Sequence, residues 1–310
     1  MKSPFVYQYV PAACLKVTDE DSADFLQSQF SNDLRPFRAG QCTYGLWLDN
    51  KGKVCADSYV LCSGEEEFYV LSKYSSASLI QEKLESHIIA DEVVLEALPL
   101  FGGALFGGVE PSEIYKLLGV ASVELGCFGE ANGLLYFSSL WADVGIVEVF
   151  CLSGQAQARI DDIVSIQKVS EVSENWIHRL RVGSGVPLVP AEVGPSDLPG
   201  EGALVPAAAS LTKGCYLGQE VVARMYNVGR PQRALYQLKS SGATPNMPAP
   251  IMTEVGKVVG ELRTVYAEKG SWSGVGMVKK RFIESGETLY LEDEIAIESI
   301  TDFAADQRLD

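Results

Sequence analysis

The stretch Lys213-Gly214-Cys215-Tyr216-Leu217-Gly218-Gln219-Glu220-Val221-Val222-Ala223-Arg224 sets one cysteine in a turn bounded by two glycines. A cation precedes Cys215 by two residues, and the pattern predicts a helix starting three residues after it, near Gly218. Lys213 and the amide dipoles of that helix both favour a thiolate at Cys215. Gly214 and Gly218 let the backbone come close to a ligand. The same turn also suits a buried structural cysteine, and no histidine lies near in sequence to activate a cysteine nucleophile. Glu220 and Arg224 stand four apart, so on a helix they share a face. Either they pair in solvent, or Glu220 accepts from a ring N–H and amino group while Arg224 grips a carboxylate. Arg230 and Arg233 follow a glycine and read equally as an anion grip or as surface charge.

The segment stands out electrostatically. From Leu211 to Lys239 there are five basic residues and one acidic residue, Glu220. The whole chain has 25 basic and 41 acidic residues, so the remainder holds 20 against 40, a net charge of about −20. An isolated basic segment on an acidic protein points to capture of a small anion, because the rest of the surface repels polyanions. A net charge of −16 argues against direct nucleic-acid binding, which needs a broad basic face, and against adsorption to anionic lipid.

At 310 residues the chain exceeds one ordinary core, and two or three lobes are expected. No apolar run approaches the roughly 18 residues of a membrane span, and the start, Met1 to Tyr9, lacks a signal-peptide pattern. A cytoplasmic location is expected. Seven scattered cysteines without C-x-x-C read as reduced thiols. Two distant histidines, His87 and His178, offer no basis for a zinc site or a triad, and no metal site is expected.

Along the chain, Thr18-Asp19-Glu20-Asp21 opens a helix carrying Phe25, Leu26, Gln29 and Phe30 in capping-box fashion. Strands are read at 41–48, 54–62 and 68–71, with a hairpin turn at Asp49-Asn50-Lys51-Gly52. Ser75-Ser76 caps a helix with Leu79, Ile80, Leu84 and Ile88 on one face, and 92–98 is β-prone. Residues 100–180 repeat this order of element types without a fixed period. The glycine-rich 101–108 lacks the features of a phosphate loop and reads as turns. Asp161-Asp162 reads as a solvated helix face. Residues 181–212 read as a long ordered loop. Beyond a boundary near Gly229-Arg230-Pro231, short strands broken by Gly and Pro suggest a small antiparallel barrel.

The K-G-C-Y-x-G-Q-E signature at 213–220 resembles that of the YgfZ-type folate-binding proteins, relatives of the T-protein (aminomethyltransferase) of the glycine cleavage system. Weaker marks agree in order: Phe25-Leu26-Gln27-Ser28-Gln29-Phe30-Ser31-Asn32-Asp33, the hairpin Asp49 to Val54, Leu180 to Pro187, Gly256 to Gly260 and Gly274 to Val278. The resemblance implies an α+β fold of two related lobes with antiparallel sheets, at about 1–98 and 99–180. In it 181–229 packs back to complete a folate-binding region spanning 1–229, and 230–310 forms a C-terminal β-barrel. It further implies tetrahydrofolate as the bound cofactor, contacted through Asn32, Lys213, Tyr216, Gln219, Glu220, Arg224, Arg230 and Arg233. Cys215 is then the functional thiol.

The implied role is accessory to iron–sulfur cluster assembly or repair, with folate and iron–sulfur client or assembly proteins as partners and cluster enzymes that modify tRNA among the clients. Two departures from the T-protein stand against aminomethyl transfer. Its paired aspartates fall at Ala56 and Asp57, leaving one acid for a transferase to use, and its pterin-holding glutamate falls at Gly183. The alternatives are a folate-dependent one-carbon transferase acting through Asp57, and a scaffold that has lost folate.

Overall fold

Period-two burial builds the first lobe. In the computed structural model, which describes residues 3–139, 145–166, 169–227, 229–291 and 295–303, Val54, Ala56, Ser58 and Val60 are buried while Cys55, Asp57 and Tyr59 between them are half-buried. Such alternation marks a strand with two unlike faces. The chain divides into two compact units, Met1–Lys51, Cys55–Glu174 and Ala207–Gln219 forming one, and Gly52–Val54, Asn175–Pro206 and Glu220–Asp310 the other. The division is discontinuous in sequence.

The first unit opens with β1 (Phe5–Tyr9) and then runs through β2 (Ala13–Thr18), α1 (Ser22–Gln29), β3 (Cys42–Leu48), β4 (Val54–Gly64), β5 (Glu67–Ser72), α2 (Ala77–Glu85) and β6 (Val94–Ala97). The sheet order is β3-β4-β5-β2-β6. Phe25, Leu26, Ile80 and Leu84 of the two helices pack on Leu15, Trp47, Ala56, Val60 and Val70 of one sheet face. The Ser76 cap forms, its hydroxyl accepting from Leu79 N. The expected capping box does not: Asp21 makes no cap bond to α1, and its carboxylate accepts instead from Glu92 N at 2.8 Å.

A second lobe follows with β7 (Gly102–Gly107), α3 (Pro111–Leu118), β8 (Phe128–Ala131), β9 (Leu134–Ser138), β10 (Val147–Cys151), α4 (Gly154–Ile166) and β11 (Ser170–Glu171). The order strand, helix, three strands, helix, strand is that of the first lobe. The sheet reads β8-β9-β10-β7-β1-β11, so β1 occupies the place beside β7 that β6 takes beside β2. Gly102 to Gly107, read from sequence as turns, is a fully buried strand. The reason is steric. A Cβ on Gly103 would lie 2.9 Å from Tyr9 Cζ and Pro11 Cγ, and one on Gly107 would lie 2.5 Å from Phe5 Cζ. The glycines make room for the rings of β1.

The second unit holds α5 (Glu174–Gly183), missed from sequence, a 3-10 turn at Pro199–Gly202, α6 (Val205–Ala208) and α7 (Gln219–Asn227). Then come β12 (Arg233–Ser241), β13 (Ala249–Thr253), β14 (Val258–Glu268), β15 (Ser271–Lys279), α8 (Lys280–Glu284), β16 (Leu289–Leu291) and β17 (Ser299–Asp302). These strands form one antiparallel sheet, β16-β13-β14-β15-β12-β17, curled around Leu238, Ile251, Leu262 and Trp272. Among the described residues its edge strands do not pair, so the expected barrel is a half-barrel. Two buried ion pairs fasten the 175–206 segment: Arg181 grips Glu192 at 2.7 and 2.8 Å, and Arg263 grips Asp197. Burial raises the Asp197 carboxyl, and its arginine and amide partners outweigh that, holding it below the usual carboxylate range.

Gly103→Val is expected to destabilise the protein by about 1–3 kcal/mol, the range for overpacking. A lowered urea midpoint with an unchanged slope is the expected reading.

Candidate functional site between the two lobes of the first unit

Facing away from their helices, the two sheets of the first unit meet. Cys14, Leu61, Tyr69 and Leu71 of the first lobe pack on Phe128, Leu135, Phe137 and Phe150 of the second. Polar side chains continue this interface. Tyr59 and Ser139 share a hydrogen bond of 3.0 Å, and the Tyr59 ring lies 4.5 Å from that of Phe137. The Tyr9 hydroxyl donates to Glu148 Oε1 at 3.1 Å, and Lys73 Nζ stands 3.4 Å from the same oxygen. The Lys73 ammonium also lies within 5.5 Å of the Tyr9 ring centre and 5.3 Å of that of Tyr74.

Asp57 sits on this face because its neighbours Ala56 and Ser58 point the other way. Ser72 and Ser75 hydroxyls donate to Oδ1 at 3.1 and 2.8 Å, and the Tyr44 hydroxyl donates to Oδ2 at 2.9 Å. Burial raises the Asp57 carboxyl above its ordinary value, while the three hydroxyls and the Lys73 charge pull it back. With two donors on Oδ1 and one on Oδ2, one acceptor position remains. Ala56 belongs to the apolar core of the first lobe, so the paired-acid position offers nothing to this face.

The signature segment docks on the exit of α1. Lys213 is buried, and its Nζ donates to the carbonyl oxygens of Gln27, Phe30 and Asn32 at 2.7, 2.7 and 2.8 Å. Burial pushes the amine down to about 8; the three carbonyls hold its charged form. All three of its donors are thus taken by backbone carbonyls. Tyr216 is buried with its hydroxyl unpartnered, and burial pushes that phenol up to about 12. Gln29 Oε1 is likewise buried without a partner. Gln219 donates to Lys213 O. Cys215 is the one exposed cysteine of the seven. Burial raises the thiols of Cys14, Cys42, Cys55, Cys62 and Cys151, Cys14 and Cys151 to about 12.

The expected basic grip resolves differently within the second unit. Arg233 is taken up by Glu201 (2.9 Å from both Nε and Nη2) and Asp197 (3.1 Å). Glu220 and Arg224 lie exposed on α7 and form no ion pair with each other. Arg230 is exposed. Gly183 ends α5 on a cleft of about 220 Å³ lined also by Arg179, Gln237, Lys239, Tyr266 and Glu268. A Cβ on Gly183 would meet nothing within 4 Å. Glu268 therefore supplies the carboxylate of this cleft, with Ser273 donating to one of its oxygens at 2.9 Å.

Sequence reasoning missed Tyr9, Tyr44, Ser72, Lys73 and Glu148. The S-x-x-S spacing after β5 was a usable signal for Ser72 and Ser75, although Ser75 was read only as part of a helix cap. Tyr9 and Glu148 had none, because 139 residues separate them. Among the described residues no group of three or more His, Cys, Asp or Glu is placed to hold a metal, and no helix is long and apolar enough to cross a membrane.

Lys213→Met strands three buried carbonyls and is expected to cost roughly 3 kcal/mol. Asp57→Asn is expected to raise stability at neutral pH. A raised carboxyl means that the unfolded chain loses its proton first, so stability falls as pH rises from the ordinary carboxylate value through the folded one. Thermal unfolding from pH 4 to 8 should show a flatter profile in the variant.

Residues 11–99 match the GCVT N-terminal domain family, a span that coincides with the first lobe. The chain is 27% identical over 244 residues to the tRNA-modifying protein YgfZ of Yersinia pestis (strain Pestoides F), covering 76% of this chain and 71% of that protein. It is 29% identical over 261 residues to the YgfZ of Edwardsiella ictaluri (strain 93-146), covering 77% and 74%. In three dimensions it matches the glycine cleavage system aminomethyltransferase T from Bartonella henselae with a TM-score of 0.79 at 16% identity, over 97% of this chain and 85% of that one. The chain is thus similar to the YgfZ proteins over about three quarters of its length, matches the GCVT N-terminal domain family over its first lobe, and shares the fold of an aminomethyltransferase T protein.

Proposed function

We propose that the chain is a tetrahydrofolate-binding accessory protein of iron–sulfur cluster assembly or repair, supporting cytoplasmic cluster enzymes that include tRNA-modifying ones. The observation that carries this reading is the joining of two features on one backbone connection: the residues leaving α1 anchor the loop bearing the single exposed thiol, Cys215, and hold the strand whose Tyr44 grips Asp57.

The residues present fit a folate. Asp57 keeps one acceptor position, and Tyr216 and Gln29 keep buried polar atoms without partners. A bound tetrahydrofolate supplies a reduced ring able to carry a one-carbon unit. The name of the relatives points to tRNA modification, and with a net charge of −16 the chain acts on it through client enzymes rather than by holding tRNA.

Aminomethyl transfer is the second reading, favoured by the upward shift of the Asp57 carboxyl, a property of acid–base groups. Its weakness is that Asp57 stands alone beside Ala56 and is already held by three hydroxyls.

Cys215→Ala should fold with an unchanged unfolding midpoint yet fail to restore cluster-enzyme activity in cells lacking the protein. Full restoration would contradict the reading. Formation of methylene-tetrahydrofolate from an aminomethyl donor, lost in Asp57→Asn, would establish the transferase instead.

A further inference from the structure

The connection Ser28–Asn32 leaving α1 binds two separate parts of the chain. Toward the thiol loop, Leu217 N donates to Ser28 O at 3.1 Å and Ser210 N to Ser31 O at 2.9 Å. The Ser31 hydroxyl donates to Ala208 O, and the Asn32 amide to Ala207 O at 3.3 Å. Toward β3, Leu46 N donates to the Ser31 hydroxyl at 2.7 Å, Ser31 N to Leu46 O at 3.0 Å, and the same Asn32 amide to Tyr44 O at 2.9 Å. The carbonyl end of Asn32 accepts from Asp33 N at 2.9 Å. Both ends of the side chain are thus engaged with the protein's own backbone.

We propose that Asn32 is a positioning residue that couples the thiol loop to the Asp57 carboxylate. Its amide nitrogen bridges the backbone of Ala207, at the root of the loop, and the backbone of Tyr44, whose hydroxyl holds Asp57. A ligand taking the remaining acceptor position of Asp57 competes with or tightens the Tyr44 bond, and so shifts β3 against Asn32. The loop carrying Cys215 and the buried Tyr216 responds in how firmly it docks. The route consists of three hydrogen bonds and one stretch of β3, all within the first unit. The ligand part of this inference rests on the folate reading above; the coupling does not.

Amide hydrogen exchange at Ser210 and Leu217 reads docking directly, because both amides bond to this connection. In the full-length protein Tyr44→Phe, which removes only the hydroxyl, should speed exchange at these two amides several-fold although the hydroxyl's bond is made to Asp57 and not to the loop. Tetrahydrofolate at saturation should change exchange there in the wild type. In Asn32→Ala both responses should vanish, with exchange in β9 and β10 of the second lobe unaltered, which separates positioning from general loss of stability. The coupling is overturned if Tyr44→Phe leaves Ser210 and Leu217 unchanged, or if Asn32→Ala still transmits the effect. Saturable binding of tetrahydrofolate without a change at these amides also overturns the coupling while leaving the folate reading standing. If tetrahydrofolate does not bind, the folate reading fails, and the Tyr44→Phe comparison alone decides the coupling.

Discussion

One buried ammonium joins parts of the chain that lie more than 180 residues apart. Lys213 Nζ fits three carbonyl oxygens at the exit of α1, and a lysine cation is suited to this because its three donors diverge from a single point. Taking that cation out of water is costly, and only full satisfaction of its donors makes burial tolerable. The consequence is a loop whose neighbouring residues have sharply different environments: Tyr216 is driven inward and Cys215 is left outside. The cation two residues before the cysteine anchors the loop that carries the thiol.

The second constraint is the duplication of the α+β lobe. Each lobe covers one sheet face with two helices, and the remaining faces can be buried only against each other. Apolar side chains fill most of that contact, and Asp57, Lys73 and Glu148 fall on its polar continuation. A carboxylate there is partly desolvated and surrounded by hydroxyls. That arrangement suits recognition of a polar ring more than acid–base turnover, because most of its acceptor capacity is already used.

Much of the architecture was legible in the sequence. The strands read at 41–48, 54–62 and 68–71 fall on β3, β4 and β5, Ser76 announced α2, and Gly/Pro punctuation marked most of the C-terminal strands. The failures have physical causes. Gly102 to Gly107 lacks side-chain pattern because its glycines yield space to Tyr9, Pro11 and Phe5, information held in β1. The half-barrel looked closed because strand count does not reveal whether edges pair. In the site, the signature drew attention to Cys215, which is exposed, and to Tyr216, whose buried hydroxyl has no partner. The sequence did not reveal that the donors of Lys213, Arg233 and Asn32 bond to other parts of the chain. Charge in a sequence shows that a partner exists, not whether that partner is a ligand or the protein itself.

The central claim is that the polar face carrying Asp57 binds tetrahydrofolate. Calorimetric titration of tetrahydrofolate into the purified protein, repeated with Asp57→Ala, tests it most directly. Saturable micromolar binding that weakens at least tenfold in the variant is the predicted result, a loss of about 1.4 kcal/mol. Absence of binding, or binding of equal strength in Asp57→Ala, would contradict it.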